Sequence, residues 1–145
     1  LLRNLGPEPL SSDFDGTSLY RLAQGRTGPI KNLIMDSKIV VGVGNIYANE
    51  SLFMAGIHPL RRCNRISRQR YQHLGDKIKE VLSAAVAVGG TTLRDFVRED
   101  GRPGYFSQQL LVYGREGELC TRCGSPIRQR MIGQRSTFYC VRCQH

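Results

Sequence analysis

Near its C-terminal end the sequence reads Cys120-Thr-Arg-Cys123, then sixteen residues, then Cys140-Val-Arg-Cys143. Two Cys-x-x-Cys pairs at this separation predict a tetrahedral zinc site. A tight turn lets both thiolates of a pair point at one ion. The residues between the pairs are long enough for a β-hairpin that brings the second pair back to the first. Four thiolates fill the coordination shell of zinc, so the expected ion is structural rather than hydrolytic. Such an ion contributes roughly 10–16 kcal/mol of apparent binding energy to folding, enough to hold a hairpin with almost no core. Between the pairs stand Arg128, Arg130 and Arg135 and no acid, a composition suited to an anionic partner. The rival reading is two disulfides in a small secreted domain. Against it, the chain shows no secretory signal and Cys63 would be left unpaired. A redox Cys-x-x-Cys motif would need a surrounding βαβ pattern, and neither pair has one.

The whole chain is basic. Its 145 residues carry a formal net charge of +9 and the pI is about 9.8. That balance implies a polyanion, with nucleic acid as the default, although a ribosomal or membrane-surface protein would show similar totals. Hydrophobic residues make up 40%, adequate for one domain or two small ones. There is no apolar run of membrane-spanning length and no signal peptide, which favours a soluble protein in a reducing compartment, where cysteine binds zinc. The chain opens Leu1-Leu2-Arg3-Asn4 without an initiator methionine and reads as the remainder of a longer protein.

The segment 1–10 contains Gly6-Pro7-Glu8-Pro9, which excludes a helix interior and reads as an extended linker. Ser11, Ser12 and Asp13 are helix-start types before a short helix through Leu19, Tyr20 and Leu22. Pro29 suits the first turn of a second helix that carries Ile30, Leu33 and Ile34 and ends near Asp36. The run Ile39 to Gly44 reads either as a buried strand or as a tight turn. Asn45 follows as the N-cap of a helix from Ile46 to Ala55, stopped by Gly56, with Ile46, Leu52 and Phe53 buried. From Ser67, residues Tyr71, Leu74, Ile78, Val81, Leu82, Ala85 and Val88 recur near a 3.6 period and predict the longest helix, ended by Gly89-Gly90. Thr91 to Tyr105 is charged and glycine-rich and reads as a mobile loop. Ser136 to Tyr139 is the return strand of the cysteine hairpin.

Several residues are candidates for chemistry. The turn Gly42-Val-Gly-Asn45 entering a helix N-terminus is a phosphate-binding arrangement or a plain capped turn. Arg26 and Lys31 lie just upstream and either face the same phosphates or are solvated surface. Arg135 could reach a phosphate bidentately or enter a groove; otherwise it is one surface arginine among many. Glu50 reads as a solvated or salt-bridged helix residue, with a general acid as the alternative. His58, His73 and His145 form no recognisable catalytic set, and Cys63 reads as a buried apolar thiol.

These pieces occur together in one family. The chain resembles the C-terminal part of bacterial formamidopyrimidine-DNA glycosylases. The match is carried by Leu5-Gly-Pro-Glu-Pro-Leu10, Met35-Asp36, Val41-Gly-Val-Gly-Asn-Ile-Tyr-Ala48, Ala55-Gly-Ile-His-Pro59, Gly104-Tyr-Phe106 with Val112-Tyr-Gly-Arg115, and Gln134-Arg-Ser-Thr-Phe-Tyr-Cys140. The resemblance covers essentially the whole chain. It implies a mainly α fold: a helix–two-turn–helix DNA-binding domain over residues 1–106, then the family's zinc finger over 107–145, with one structural Zn2+ on Cys120, Cys123, Cys140 and Cys143.

The parent enzyme of this resemblance flips an oxidised purine, such as 8-oxoguanine or a formamidopyrimidine, out of duplex DNA. It cuts the glycosidic bond and nicks the strand by β,δ-elimination. Asn45 matches the family's phosphate-binding asparagine and Lys31 its phosphate-contacting lysine. Arg26 falls at a basic DNA-contact position. Arg135 matches the finger arginine that binds phosphate at the flipped nucleotide and is linked to δ-elimination. Thr91 to Tyr105 corresponds to the loop that closes over the extruded base. The family's N-terminal proline nucleophile, its neighbouring glutamate, a further lysine and the intercalating residues match nothing here, so this chain alone is expected to bind DNA weakly without excising bases. The expected partner is double-stranded DNA with an oxidised purine or an abasic site. The expected state is a monomer in the bacterial cytoplasm, acting at the nucleoid, with no membrane partner. The alternatives are a stand-alone zinc-ribbon module without catalysis, the endonuclease VIII branch of the same superfamily, and a ribosome-associated protein.

Overall fold

The computed structural model describes residues 6–40, 42–87 and 110–145. Among these residues the elements run α1 (Gly16–Ala23), α2 (Ile30–Met35), α3 (Asn45–Ala55), a short 3-10 turn (Cys63–Arg65), α4 (Arg68–Ala87), β1 (Arg128–Ile132) and β2 (Arg135–Tyr139). The fold is mainly helical, with an antiparallel hairpin near the C-terminal end. The expected mobile loop 91–105 and the glycine stop at 89–90 lie outside the described residues.

α1 starts later than its flanking serines suggest. Asp15 is the N-cap, and its carboxylate accepts from the Ser18 N–H at 2.7 Å while the Ser18 hydroxyl accepts from the Asp15 N–H at 3.0 Å. This reciprocal capping box satisfies two amides, which Ser11, Ser12 and Asp13 cannot do from their positions. The segment before it is not a free linker. The Gly6 N–H donates to the Ser37 carbonyl at 2.7 Å, and Pro9 is buried.

The long helix α4 buries Tyr71, Leu74, Ile78, Val81, Leu82 and Ala85, as the 3.6 periodicity requires. Its crossing with α1 is a glycine-to-glycine contact. A Cβ on Gly75 would lie 2.6 Å from the Gly16 nitrogen, and one on Gly16 would lie 2.1 Å from the Gln72 Cα. Backbones approach this closely only without side chains between them. Phe14, Leu19, Ile30, Ile34, Leu52 and Leu74 meet in the core that results.

α3 lies at the centre. Every side chain from Tyr47 to Phe53 is buried, while Ile46, expected inside, is only half-buried. A surface helix buries one stripe; α3 buries its whole circumference because it sits between the helical core and the finger. Among its described residues the run from Ile39 to Gly44 holds turns and no strand: Ile39, Val40 and Val43 are buried, and Gly42 takes φ +87°, a conformation unfavourable to any side chain.

The finger has its own small cluster of Val112, Cys120, Ile127, Phe138 and Cys140, completed by Phe53 from α3. β1 and β2 pair in the register Arg128↔Tyr139 through Ile132↔Arg135. The turn between them has positive φ at both Gly133 (57°) and Gln134 (65°), the type I′ geometry whose twist suits a two-residue hairpin. β1 is largely exposed, whereas Thr137, Phe138 and Tyr139 of β2 are all buried. β2 is therefore covered on both faces, by the finger cluster and by the helical core.

Candidate nucleic-acid interface and metal centre

The cysteine pairs sit on two similar knuckles. In the first, the Gly124 N–H donates to the Cys120 carbonyl at 2.9 Å and the Arg122 N–H to the Cys120 Sγ at 3.4 Å. In the second, the Gln144 N–H donates to the Cys140 carbonyl at 3.0 Å. The four sulfur atoms lie within 4.8 Å of one another. Zinc–sulfur bonds of about 2.3 Å in a tetrahedron separate the sulfurs by about 3.8 Å. The Cys120–Cys143 separation is 3.8 Å and the Cys123–Cys140 separation 3.4 Å. The geometry and the all-thiolate donor set fit one zinc ion and leave no open position for water. Cys63 stands apart from this set, buried in the helical core as expected.

The knuckles are fastened to the helical domain by buried polar bonds. Gln144 is 2% exposed; its oxygen accepts from the Cys140 N–H at 2.8 Å, and its amide donates to the Ile57 carbonyl at 3.0 Å. The Arg122 guanidinium lies over the Phe53 ring, 4.7 Å from its centroid. Glu50 corrects the sequence reading. It is 3% exposed, and its two oxygens accept from the N–H groups of Leu111, Val112 and Tyr113 at 2.7, 2.9 and 2.9 Å. Burial pushes its carboxyl up, against those three donors and Arg115. The residue is a clamp for the finger's leading edge, neither solvated nor salt-bridged at the surface.

The same α3 positions β2. Asn45 is the first residue of the helix and not its N-cap; Gly44 holds that place, and no side chain caps the helix. The Asn45 amide instead donates to the Ser136 carbonyl at 3.0 Å. One turn on, the Asn49 oxygen accepts from the Phe138 N–H at 2.7 Å. The i,i+4 spacing of the two asparagines marks one helix face, a signal readable in the sequence but overlooked there.

Lys31 also departs from a solvated surface lysine. It is 1% exposed and its ammonium donates to the Thr137 hydroxyl at 2.7 Å. Burial, reinforced by the neighbouring Arg135 charge, lowers its pKa to about 8. Arg135 itself is exposed, at the first position of β2. Lys31 and Arg135 line one open depression of about 270 Å³ with Asn32, Met35, Asp36, Ile132 and Gly133. Arg26 approaches from the α1–α2 loop, 4.0 Å from the Asp36 carboxylate. The fold thus gathers all four sequence candidates: Lys31 and Arg135 in the depression, Arg26 through Asp36, and Asn45 on the residue next to Arg135. A Cβ at Gly42 or Gly44 would meet nothing within 4 Å, so the turn before α3 faces open space.

Comparison with known proteins agrees with this geometry. The model of the formamidopyrimidine-DNA glycosylase H2TH domain matches residues 5–97. The model of the zinc finger found in FPG and IleRS matches residues 117–145. A formamidopyrimidine-DNA glycosylase of Syntrophotalea carbinolica is 60% identical over 144 residues, covering 99% of this chain and 53% of that relative. One from Alkalilimnicola ehrlichii is 61% identical, with 99% and 52% covered. The chain therefore spans about half the length of the curated relatives it matches. Among solved structures, the MutM (Fpg) protein of Thermus thermophilus superposes with a TM-score of 0.87 at 41% identity, covering 99% of this chain and 55% of that one. The Lactococcus lactis Fpg in complex with abasic-site DNA gives 0.87 at 35% identity, with 99% and 52% covered. With the helical domain matched over more than half the chain and the four-cysteine finger behind it, the chain belongs to the formamidopyrimidine-DNA glycosylase H2TH family.

Proposed function

We propose that the chain is the DNA-binding portion of a base-excision-repair glycosylase and AP lyase. The whole enzyme would remove oxidised purines such as 8-oxoguanine and formamidopyrimidines and nick the strand by β,δ-elimination. The observation that carries this reading is the convergence of Lys31, Asn45 and Arg135 where α2 and α3 meet the hairpin. A buried ammonium, an exposed guanidinium and an uncapped helix N-terminus present positive charge on one face. That face suits consecutive phosphates of one strand. Lys31, Asn45 and Arg26 act as backbone contacts, which set position and not sequence. Arg135 holds the phosphate of the extruded nucleotide and assists δ-elimination. Zinc takes no part in bond cleavage; it fixes the direction of the hairpin and hence of Arg135. The helical domain extends through the first 106 residues and the finger through 107–145. The bacterial relatives support a cytoplasmic site of action; there the protein would act at the nucleoid, as a monomer.

Base excision by this mechanism needs a nucleophile at the sugar, and the residues of the interface supply phosphate contacts instead. The zinc-loaded chain is therefore expected to bind a duplex containing an abasic-site analogue, more weakly in R135Q and N45A. It is expected to form no borohydride-trapped adduct with an 8-oxoguanine duplex. A trapped adduct would show that this chain carries the nucleophile. Equal binding by R135Q, N45A and the parent sequence would remove the interface.

A further inference from the structure

Between Glu50 and Asp76 the sequence contains no acid, and residues 61–70 hold Arg61, Arg62, Arg65, Arg68 and Arg70. None of these five pairs with a described carboxylate. Arg62, Arg65 and Arg68 are exposed, and Arg61 and Arg70 half-buried. Several guanidiniums are already held in place. Arg61 donates to the Arg65 carbonyl at 2.7 Å and Arg62 to the Thr27 carbonyl at 2.9 Å. Arg70 donates to the Gly56 and His145 carbonyls at 2.9 and 3.0 Å.

The cluster is unfavourable to the fold. Arg68 and Arg70 lie in the first turn of a 20-residue helix that has no acid there. Cations at this end oppose the helix dipole, and like charges repel. Arg61 stands near enough to Arg70 to disfavour its charge, beyond the effect of burial. An arrangement that costs stability in the free protein and leaves donors facing solvent suits an external anion.

Its position indicates which anion. The segment is stitched to the loop that carries Arg26 and leads to Lys31. The Cys63 N–H donates to the Gly28 carbonyl at 2.9 Å, the Ile30 N–H to the Arg61 carbonyl at 2.8 Å, and the Lys31 N–H to the Pro59 carbonyl at 3.1 Å. Pro29 and Arg62 form an isolated bridge. The arginine segment is therefore bonded directly to the stretch that carries Lys31, and Asp36, which Arg26 approaches, is the acid that lines the depression.

We propose that Arg62, Arg65 and Arg68 form a second phosphate-tracking surface, which grips the flank of the same DNA duplex beside the Lys31–Arg135 face. This rests on the DNA-binding reading above. Guanidinium forks suit consecutive phosphates of a duplex, which carries one charge per about 1.7 Å of axis.

The test is fluorescence anisotropy of the zinc-loaded chain on an undamaged duplex of about two helical turns, over a range of salt concentrations. R62Q/R65Q is expected to weaken binding several-fold and to lower the salt slope by about 1.8, since each lost phosphate contact removes about 0.9. K77Q/K79Q removes the same charge from α4 farther along the helix and should leave the slope unchanged. R65Q/R68Q spares the Arg62–Thr27 bond and should reproduce the loss if R62Q/R65Q melts early. A parental slope in both arginine variants overturns the proposal. So does a variant that keeps its DNA slope but loses binding to poly-glutamate, which would mark an acidic protein partner. If R135Q weakens binding and the arginine doublets do not, this inference alone fails. If the parent chain shows no salt-dependent binding, the DNA reading fails with it.

Discussion

Lys31 shows a single side chain held against its own solvation. A buried ammonium with a neutral hydroxyl as its partner and Arg135 beside it is uncomfortable in the free protein. Its pKa of about 8 lies below the value of 10.5 for an ordinary lysine. Folding therefore opposes its protonation. The stability that Lys31 contributes as a neutral amine is present above pH 10.5 and is lost as pH falls through about 8. At pH 7 the charged form is a cost to the fold, which the proposed phosphate contact would offset. K31M should consequently melt several degrees higher than the parent chain at pH 7, with the gap shrinking as pH rises towards 10, while its DNA affinity falls. Thermal melts across pH, paired with anisotropy titrations, check both halves. A K31M variant that melts lower at pH 7 and binds DNA equally well would contradict this account. Glu50 is buried as well, but three backbone N–H groups donate to its carboxylate and oppose the upward push of burial without cancelling it.

Two contacts between elements set the geometry. The α1–α4 crossing depends on bare backbone at Gly16 and Gly75, and a methyl group there meets main-chain atoms that cannot rotate away. G75A, otherwise favourable in a helix interior, is expected to destabilise the chain by about 1–3 kcal/mol through overpacking. Urea unfolding would measure it, and an unchanged or raised midpoint would disprove the close crossing. The second contact is α3 against β2 and the finger. It is made by Asn45, Asn49, Phe53 and Glu50, which share one broad face of the helix, while Tyr47, Ala48 and Leu52 enter the helical core. Such a helix shows no clean amphipathic stripe in the sequence, because no face of it is left for water.

At the scale of the molecule, a helical body with an extensive core carries a finger whose apolar cluster is small. Small units of this kind need a metal or a disulfide to stay folded. Removal of zinc with a chelator is expected to collapse the hairpin while leaving α1 and α4 folded. In NMR, amide signals of residues 117–145 should lose dispersion, and those of the α1–α4 crossing should persist. Unshifted finger signals in metal-free protein would refute the zinc clamp. The loss would also release Glu50, Asn49 and Gln144 from their buried partners, so the thermal midpoint of the helical body should fall as well.

The metal ligands, the long helix α4 and the return strand β2 were legible in the sequence, because cysteine spacing and a 3.6 period are local signals. So was the resemblance that singled out Arg26, Lys31, Asn45 and Arg135. What these side chains do in the free protein was not legible. Asn45 has the residue type of a cap, yet its amide crosses to Ser136, ninety-one positions along the chain. Glu50 and Lys31 have the composition of surface residues, yet both are buried against finger residues that lie 61 and 106 positions later. The sequence determined which elements form and which ion staples the finger. Only the tertiary structure decided which polar groups lose their water, because that depends on partners no local pattern encodes.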